Sequence, residues 1–492
     1  MAAAAAHVLV FPFPLQGHIN CMLPFATALA GAGVLVTFLH SDHNLRRLGR
    51  ASAPDGPPSP RLRSLSIPDG LPDNDPRSVG GLLELVESLK AVASVAFRAL
   101  LASLLSTTSP SRADHHHDGG FPPVTCVVAD GYLPWAIDVA DELCVPVLAF
   151  RTSSACSILA FLSAPRLFEL GELPFPAGGD LDEPVRGVPG MESFLRRRDL
   201  PSSFRRAGEH GVNPRLPVLV EDTFHSGKAR ALIFNTAASL ERSALAHIAP
   251  HMRDVFAVGP LHAMSPAPAV ATSLWREDDG CVAWLDGQAD RSVVYVSLGS
   301  LAVMSHGQFT EFLSGLVAAG HPFLWVLRPD MVGESRDGDA TTPQDAIRAA
   351  AGDGKAHVVA WAPQWDVLRH RAVGCFLTHA GWNSTLEAVV EGVPMLCWPF
   401  FADQQINSRF VGAVWRNGLD MKDVCERGVV EKTVREAMES DEIRQSAEAL
   451  AEQVKRDIAD GGSSAMEFKR LVSFIRELGS TSTAENDLQI QE

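Results

Sequence analysis

Residues 361–404 read WAPQWDVLRHRAVGCFLTHAGWNSTLEAVVEGVPMLCWPFFADQ. The apolar run Val373–Thr378 predicts a buried strand, and the small residues after it predict a tight turn into a helix that begins near Trp382. Ser384 and Glu387 have the spacing of a capping box, in which Ser and a later Glu satisfy free amides at a helix start. Free N–H groups and the helix dipole make such a strand–turn–helix junction an anion site.

Side chains that can donate hydrogen bonds lie at the same junction, namely those of His379, Asn383 and Ser384. The chain contains no GxxxxGKS or GxxxxGKT segment, so a P-loop nucleotide site is excluded. No GxGxxG segment follows the first predicted strand, which argues against NAD. These observations indicate a phosphate site of another class.

Short apolar runs alternate with helical patterns on both sides of this segment. Near the N-terminus, His7–Phe11 has the character of a buried strand, and residues 18–30 follow with apolar residues at helical spacing. Further strands are predicted over residues 34–39, 124–129, 145–150, 231–234, 255–258, 293–298, 323–327, 357–360 and 395–397. Strands that alternate with helices favour a parallel, doubly wound sheet, so the predicted fold class is α/β.

The pattern restarts after a stretch rich in Pro, Ala and Ser, which we interpret as an interdomain linker over residues 259–273. We therefore predict a first domain over residues 1–258 and a second over residues 274–460. Residues 461–492 are predicted to form a helix that returns to the first domain, with a polar tail after Gly479. Two α/β domains in tandem leave a cleft, which is a usual location for a ligand.

The composition limits the class of partner. Of 492 residues, 46% are apolar and 20% are charged, as in a globular chain. The net charge of −16 excludes nucleic acid as a partner, because duplex binding needs clustered Lys and Arg. An anionic substrate therefore needs a local positive site built from dipoles or a few side chains.

The cysteines and the N-terminus bear on the compartment. Eight cysteines are present without a CxxC pair, so we predict no zinc or thioredoxin-type motif and expect reduced thiols. The N-terminus lacks the basic region and the cleavage site of a signal peptide. No window holds about 18 consecutive apolar residues, so we expect no membrane-spanning helix. The simplest expectation is a cytoplasmic monomer without a membrane partner.

Two features could hold a metal ion. Residues 114–118 read DHHHD, and Asp-x-Asp triplets occur, of the kind with which metal-dependent sugar transferases bind Mn²⁺ or Mg²⁺ beside a diphosphate. The triplets are Asp73/Asp75, Asp180/Asp182 and Asp337/Asp339. All these residues lie in loops rich in Pro, Gly or Ser, so we interpret them as solvated turn residues and predict no metal. A metal site at 114–118 is the less favoured alternative.

The 361–404 segment closely resembles the signature box of plant family-1 UDP-glycosyltransferases, in its length and at nearly every fixed position. The order WAPQ, HxGWNS, E, P and DQ is highly specific for that family. Ala380 departs from the box, in which Cys is commoner, but a small side chain satisfies the same packing need at the turn. Family-like segments elsewhere extend the resemblance over nearly the whole chain: FPFPLQGHIN (11–20), SIPDGLPDNDP (66–76), VVADGYLPWAIDVA (127–140), LIFNTAASLE (232–241) and VVYVSLGS (293–300).

The resemblance implies the GT-B fold, in which two Rossmann-like domains face a cleft, the first holding an acceptor and the second a nucleotide sugar. It implies that Trp361 stacks on uracil, a contact that contributes roughly 1–3 kcal/mol per base. The backbone of Ala362 and the side chain of Gln364 are implied to bind uracil or ribose. Glu387 is implied to accept the ribose hydroxyls, and its alternative role is the capping partner of Ser384.

The phosphate and sugar ends of the donor site follow in the same way. The implied diphosphate ligands are His379, Asn383, Ser384 and Ser300. Asp403 and Gln404 are implied to bind the sugar hydroxyls, with Trp382 completing the pocket through its backbone. A final Gln is usual in members that use glucose, so UDP-glucose is the expected co-substrate, with other hexoses as the alternative.

Transfer to a hydroxyl requires a base, and the resemblance assigns this role to His18, just after the first strand. An unperturbed imidazole is mostly neutral at cytosolic pH, which is the form that a base needs. Asp130 is implied to orient His18 as in an Asp–His dyad, although it could instead be a plain helix N-cap. Preorganised donors at the diphosphate can replace a metal, so no cofactor is expected.

We therefore predict an inverting transfer of glucose from UDP-glucose to a hydroxyl or carboxyl of a small apolar acceptor, such as a phenolic, a terpenoid or a hormone acid. One displacement with one base, and no second carboxylate placed as nucleophile, predicts inversion. One alternative is a catalytically silent UDP-sugar-binding protein, which would lack His18 or Asp130. Another is a two-domain enzyme such as an epimerase or a dehydrogenase, against which the missing GxGxxG counts.

Overall fold

The computed structural model describes residues 6–51, 59–106, 121–205, 211–264, 273–278, 280–333, 342–352 and 354–489. The chain divides into two compact units, each built from separate segments of sequence. The first unit comprises Met1–Ala155, Leu219–Leu274 and Asp457–Glu492, and the second comprises Cys156–Val218 and Trp275–Arg456. The run at residues 114–118 and the pair Asp337/Asp339 lie outside the described residues.

The first unit contains a seven-stranded parallel sheet in the order β3-β2-β1-β4-β5-β6-β7. Its strands are β1 (His7–Phe11), β2 (Leu35–Ser41), β3 (Leu62–Ile67), β4 (Cys126–Asp130), β5 (Val147–Arg151), β6 (Ala231–Phe234) and β7 (Val255–Ala257). Strands β1, β4 and β5 are buried at every position, which explains their continuous apolar sequences.

The second unit contains a six-stranded parallel sheet in the order β10-β9-β8-β11-β12-β13. Its strands are β8 (Val293–Ser297), β9 (Phe323–Val326), β10 (Ala356–Val359), β11 (Val373–Thr378), β12 (Met395–Cys397) and β13 (Gly418–Asp420). Both sheets thus have the doubly wound strand order of a Rossmann-like domain, as predicted.

Helices connect the strands. In chain order they are α1 (Gln16–Gly31), α2 (Asp42–Ala51), α3 (Leu82–Ser88), α4 (Ser94–Leu105), α5 (Pro134–Glu142), α6 (Ala155–Leu162), α7 (Ala164–Glu169), α8 (Arg215–His225), α9 (Ala238–Ile248), α10 (Leu261–Met264), α11 (Gly280–Asp286), α12 (His306–Ala319), α13 (Pro343–Ala351), α14 (Gln364–Arg369), α15 (Trp382–Glu391), α16 (Gln404–Arg409), α17 (Arg427–Glu439), α18 (Asp441–Ile458) and α19 (Ser463–Gln489). Two π-helical segments continue α3 and α16, over Leu89–Ala93 and Phe410–Trp415.

Two strands were missed in the sequence, β3 and β13. Strand β3 lies at the edge of its sheet, and only Ile67 of its residues is buried, so its sequence LRSLSI lacks a continuous apolar run. Strand β13 is also an edge strand and has only three residues. Edge strands need less apolar surface than central ones, and this weakens their sequence pattern.

The grouping of residues into units differs from the predicted domain boundaries at Cys156–Val218, which clusters with the second unit. Polar contacts hold this segment there: the Arg205 guanidinium lies 2.8 Å from the Asp423 carboxylate, and Arg409 donates to the Phe194 carbonyl at 2.8 Å. Pairings between residues about 200 positions apart leave no local pattern in the sequence.

The C-terminal segment belongs to the first unit, as the sequence analysis expects. Three residues of α19, Leu471, Val472 and Ile475, are buried in the core of that unit. Beyond Gly479, where a polar tail is predicted, the helix continues as far as Gln489.

The stretch Leu82–Leu105 is helical over 24 residues and contains an 18-residue window with a mean hydropathy of 1.6, so by length and composition it could cross a membrane, against the sequence expectation. One such helix is weak evidence, because helices from protein cores pass the same test. Every fourth residue of this stretch is buried, namely Leu85, Leu89, Ala93, Phe97 and Leu101. That spacing is the stripe of a helix packed along one face.

Candidate active site

The predicted site residues lie beyond the carboxyl ends of the central strands in each sheet. Strand order reverses between β1 and β4 in the first sheet, and between β8 and β11 in the second. Ligands of open parallel sheets bind beyond the strand ends at such a reversal. His18 follows β1 and Asp130 ends β4, whereas Ser300 follows β8 and His379 follows β11.

In the first unit, His18 and Asp130 are in direct contact. The Nδ1 atom of His18 lies 2.6 Å from Oδ2 of Asp130, whose side chain is fully buried. The same carboxylate accepts the backbone N–H groups of Phe13 at 3.1 Å and Tyr132 at 3.0 Å. These donors hold the carboxylate in one orientation, so Nδ1 of His18 carries the proton and Nε2 is the nitrogen that can accept another.

The interpretation of Asp130 as a plain N-cap is wrong. Helix α5 begins at Pro134 and its N-cap residue is Leu133, three positions after Asp130. The carboxylate of Asp130 is used by the His18 ring and by the turn that precedes the helix.

Thr152 is a further candidate that the sequence analysis did not single out. Its hydroxyl oxygen lies 3.1 Å from Nδ1 of His18, and the residue follows the end of β5. Thr152 begins a run of three hydroxyl residues directly after a buried strand, and this feature of the sequence could have identified it as a site residue. Thr152 and Asp130 together restrain the imidazole from the side opposite Nε2.

In the second unit, the turn after β11 brings His379 against two glycines. A Cβ atom at Gly299 or at Gly381 would lie 2.5 Å from Nε2 of His379, so neither position can hold a larger residue without displacing the ring. Gly299 also has a φ of +73°, which favours glycine. Ala380 has a φ of +60°, and its carbonyl accepts from Nδ2 of Asn407 at 3.0 Å.

The imidazole of His379 is neutral at physiological pH. Burial, together with the nearby Arg328 guanidinium, lowers the pKa of His379 to about 4. A hydrogen bond with the backbone of Ser297 opposes this shift. His379 can therefore offer a hydrogen bond to a ligand but no positive charge.

The predicted capping box is wrong. Helix α15 begins at Trp382 with Gly381 as its N-cap, so Ser384 and Glu387 lie inside the helix. Nε2 of Gln364 instead donates to Oγ of Ser384, at 3.1 Å, and to the Glu387 carboxylate. Burial raises the pKa of Glu387 to about 7, although the Gln364 contact opposes this shift.

Trp361 and Gln404, which are predicted to bind the uracil and the sugar, also have partners within the second unit. The ring of Trp361 stacks on that of Trp275, with centroids 5.8 Å apart and planes at 20°. Oε1 of Gln404 accepts the backbone N–H groups of Phe400 at 2.8 Å and Phe401 at 3.0 Å. Because its oxygen is used within the loop, Gln404 offers its NH₂ group to a ligand.

Four other predicted residues are buried, as Gln404 is: Ala362, Trp382, Ser384 and Asp403. The ring of Trp382 packs on that of Trp415, with centroids 6.3 Å apart. The structure thus brings Gln364, Ser384 and Glu387 into one hydrogen-bonded group and places His379 beside the loop that carries Ser300. His18 and Asp130 belong to the other unit.

The described residues include no cluster of three His, Cys, Asp or Glu side chains that could hold a metal ion. Three members of the Asp-x-Asp triplets form ion pairs: Asp73 with Arg46, Asp75 with Arg77, and Asp182 with Arg196 and Arg198.

Known proteins resemble this chain over nearly its whole length. The sequence model of the family described as UDP-glucoronosyl and UDP-glucosyl transferase matches residues 242–452. A myricetin 3-O-rhamnoside 1,2-glucosyltransferase from Crocosmia x crocosmiiflora is 44% identical over 481 residues, which cover 96% of this chain and 97% of that protein. A 7-deoxyloganetic acid glucosyltransferase from Catharanthus roseus is 42% identical over 488 residues, which cover 96% of this chain and 98% of that protein.

Solved structures show the same architecture. Os79 from O. sativa, whose crystal structure was solved in complex with UDP, is 29% identical to this chain in sequence. The two structures superpose with a TM-score of 0.74 over 95% of this chain and 100% of Os79. An anthocyanidin 3-O-glucosyltransferase in complex with UDP, at 24% identity and a TM-score of 0.78, supports the fold alone.

Proposed function

Since the chain belongs to the plant family-1 UDP-glycosyltransferases, we propose that it transfers glucose from UDP-glucose to a hydroxyl or carboxyl of a small apolar acceptor, with inversion at the anomeric carbon. The observation that carries the proposal is the 2.6 Å contact between His18 and a fully buried Asp130. A UDP-sugar-binding protein without activity has no use for such a dyad, so the catalytic function is favoured over the silent alternative.

On the acceptor side, Nε2 of His18 takes the acceptor proton while the acceptor oxygen forms a bond to the anomeric carbon. The bond between that carbon and the β-phosphate oxygen breaks, and UDP leaves with the electron pair. Asp130 offsets the charge of the imidazolium that forms, because its carboxylate is already hydrogen-bonded to Nδ1. Thr152 helps to hold the ring in this orientation.

On the donor side, the charge that develops on UDP is stabilised by the start of α15 and by the side chains around it. Neutral His379 supplies a hydrogen bond, and Ser300, Asn383 and Ser384 supply further donors. Fixed donors of this kind contribute roughly 3–4 kcal/mol each to transition-state stabilisation in acyl transfer. We propose that this set works without a metal ion.

The rest of the donor is held by the residues that the family resemblance assigns. Trp361, backed by Trp275, takes the uracil ring, and Gln364 with Glu387 takes the ribose. The NH₂ group of Gln404 donates to a sugar hydroxyl, since its oxygen is bound within the loop.

The experiment that tests this function is an acceptor screen with UDP-glucose, in which UDP release is measured. The names of the relatives suggest two members of the panel, a flavonol rhamnoside and an iridoid acid aglycone, besides phenolics and a hormone acid. The anomeric configuration of the product is read by NMR, and a β-glucoside is expected. Tight binding of UDP-glucose without turnover on any acceptor would instead support the silent alternative.

The affinity for UDP-glucose is expected to rise with pH through neutrality. Below a pKa of about 7 the Glu387 carboxyl is protonated and accepts ribose hydroxyls poorly, whereas above it the carboxylate accepts them well. Between pH 6 and pH 8 the affinity should increase about tenfold, as measured by calorimetry. Glu387→Gln should bind more weakly at high pH and lose this dependence, and an unchanged pH profile in that variant would contradict the role of Glu387.

Replacement of Trp361 by alanine should weaken UDP-glucose binding about 5- to 150-fold, the range expected for loss of roughly 1–3 kcal/mol of base stacking. Trp365→Leu is the matched control, because its ring contacts Arg369 and its N–H donates to Glu391 within the protein. The control should keep the KM for UDP-glucose within about twofold of the wild type. Equal losses in both variants would indicate a general structural effect.

A further inference from the structure

A UDP-sugar brings two negative phosphate charges to a chain whose net charge is −16. None of the residues assigned to the donor site is a Lys or an Arg, and His379 is neutral. Backbone dipoles can stabilise an anion, but a nearby fixed cation would strengthen the site in a dry environment. Such a cation would have to lie beside the loop that contains Ser300, a predicted diphosphate ligand.

Arg328 meets that description. It lies two residues after β9, and its side chain is fully buried. Its guanidinium donates from Nη1 to the Gly299 carbonyl and from Nη2 to the Ala302 carbonyl, the latter at 2.8 Å. Nε lies 3.1 Å from a carboxylate oxygen of Asp330, whose side chain is 54% exposed. Arg328 thus binds both ends of the loop that contains Ser300.

The orientation of this loop follows from the geometry of the peptide bond. In a trans peptide the carbonyl and the next N–H group point in opposite directions. Because the Gly299 carbonyl faces Arg328, the Ser300 N–H faces away from the guanidinium. Because the Ala302 carbonyl also faces Arg328, the Val303 N–H likewise points away from the guanidinium. Arg328 therefore turns the amide of a predicted diphosphate ligand outward.

The charge of Arg328 also reaches the site. A guanidinium stays protonated at any physiological pH, and burial leaves its field less screened than at the surface. The guanidinium is close to the turn after β11, because it binds the Gly299 carbonyl and the His379 ring lies against Gly299. The exposed carboxylate of Asp330 is in contact with solvent and offsets only part of this charge.

We propose that Arg328 is a positioning residue of the donor site, which orients the Gly299–Ala302 loop toward the diphosphate and supplies a permanent positive charge behind it. This inference rests on the proposed function. It assigns a cationic role to a residue outside the family signature box, at a site whose other assigned residues include no Lys or Arg.

Arg328→Gln and Arg328→Lys test the proposal, with Arg435→Gln as the matched control. Arg435 is an arginine of the same unit that also donates to two main-chain carbonyls, those of Ala318 and Ala319, and pairs with Glu431. The binding of UDP is measured by calorimetry, the KM for UDP-glucose by kinetics, and the ionisation of the terminal phosphate of bound UDP by ³¹P NMR. The last quantity responds to a lost charge and not to a general loss of stability.

Arg328→Gln should weaken UDP binding at least tenfold, raise the KM for UDP-glucose more than it lowers kcat, and raise the pH at which bound UDP takes up a proton. Arg328→Lys should recover the phosphate ionisation but only part of the affinity, because lysine keeps the charge and loses the two-pronged contact. Arg435→Gln should change UDP binding less than twofold. If Arg328→Gln does not fold, the UDP affinity of Arg328→Lys decides, and a wild-type affinity in that variant would contradict the role of Arg328.

Wild-type affinity and normal phosphate ionisation in Arg328→Gln, or equal losses in Arg435→Gln, would overturn the role of Arg328. Failure of the wild-type protein to bind UDP at all would instead refute the proposed function. The two failures are therefore distinguishable within one set of measurements.

Discussion

Replacement of His18 by alanine should lower kcat about 10²- to 10⁴-fold and leave the affinity for UDP-glucose within about twofold of the wild type. The reason is that only Nε2 of His18 is available to take the acceptor proton, since Nδ1 is bound by Asp130 and Thr152. Donor affinity should persist, because the residues assigned to the nucleotide sugar belong to the second unit.

The measurement compares turnover with the best acceptor from the screen and UDP-glucose binding by calorimetry. His247→Ala is the control, because this exposed histidine of the first unit makes a single hydrogen bond among the described residues, to the Ser243 carbonyl of its own helix. The control should retain wild-type turnover. A His18→Ala enzyme within about threefold of the wild-type rate would remove His18 from the mechanism.

Replacement of Asp130 by asparagine should cost a similar factor in kcat. In proteases that use a Ser-His-Asp triad, the same change lowers kcat about 10⁴-fold, because the imidazole is held in the wrong tautomer. Here the carboxylate accepts three N–H groups, from Phe13, His18 and Tyr132, and asparagine would turn its own NH₂ group toward at least one of them. The buried mismatch should also lower stability by about 1–3 kcal/mol.

A double-mutant cycle separates the two effects of Asp130. If Asp130 acts through His18, the variant with both His18→Ala and Asp130→Asn should be no slower than His18→Ala alone. Its free energy of unfolding should still show the loss expected for Asp130→Asn, as measured by urea denaturation. Multiplicative losses of kcat in the double variant would show that Asp130 affects the rate independently of His18.

Much of the fold could be predicted from the sequence because the central strands are buried on both faces. Strands β1, β6, β11 and β12 have the predicted bounds, and the bounds of the other central strands differ from the predicted ones by one or two residues. The edge strands β3 and β13 could not be found in this way, since a strand with a solvated side does not need a continuous apolar run.

The site residues could be named from the signature box and the resemblance, but several of their partners could not. The spacing of Ser384 and Glu387 suggested a capping box, yet the helix begins two residues before Ser384 and Gln364 contacts both side chains. Capping rules consider residues within one helical turn, so they cannot predict a hydrogen bond from another helix, such as the one that Gln364 of α14 donates to Ser384.

The sequence by itself determined the two parallel sheets, the family and the identity of the residues assigned to the donor. Only the tertiary structure decided between the dyad and the N-cap for Asp130, 112 positions from His18. It also brought Thr152, 134 positions from His18, to the same ring nitrogen, and Arg328 to the loop that contains Ser300. The physical reason is the range of the forces that leave a pattern in sequence. Helical and strand periodicity arise between residues a few positions apart, whereas the order of strands in a sheet, which brings these side chains together, is encoded in no short segment.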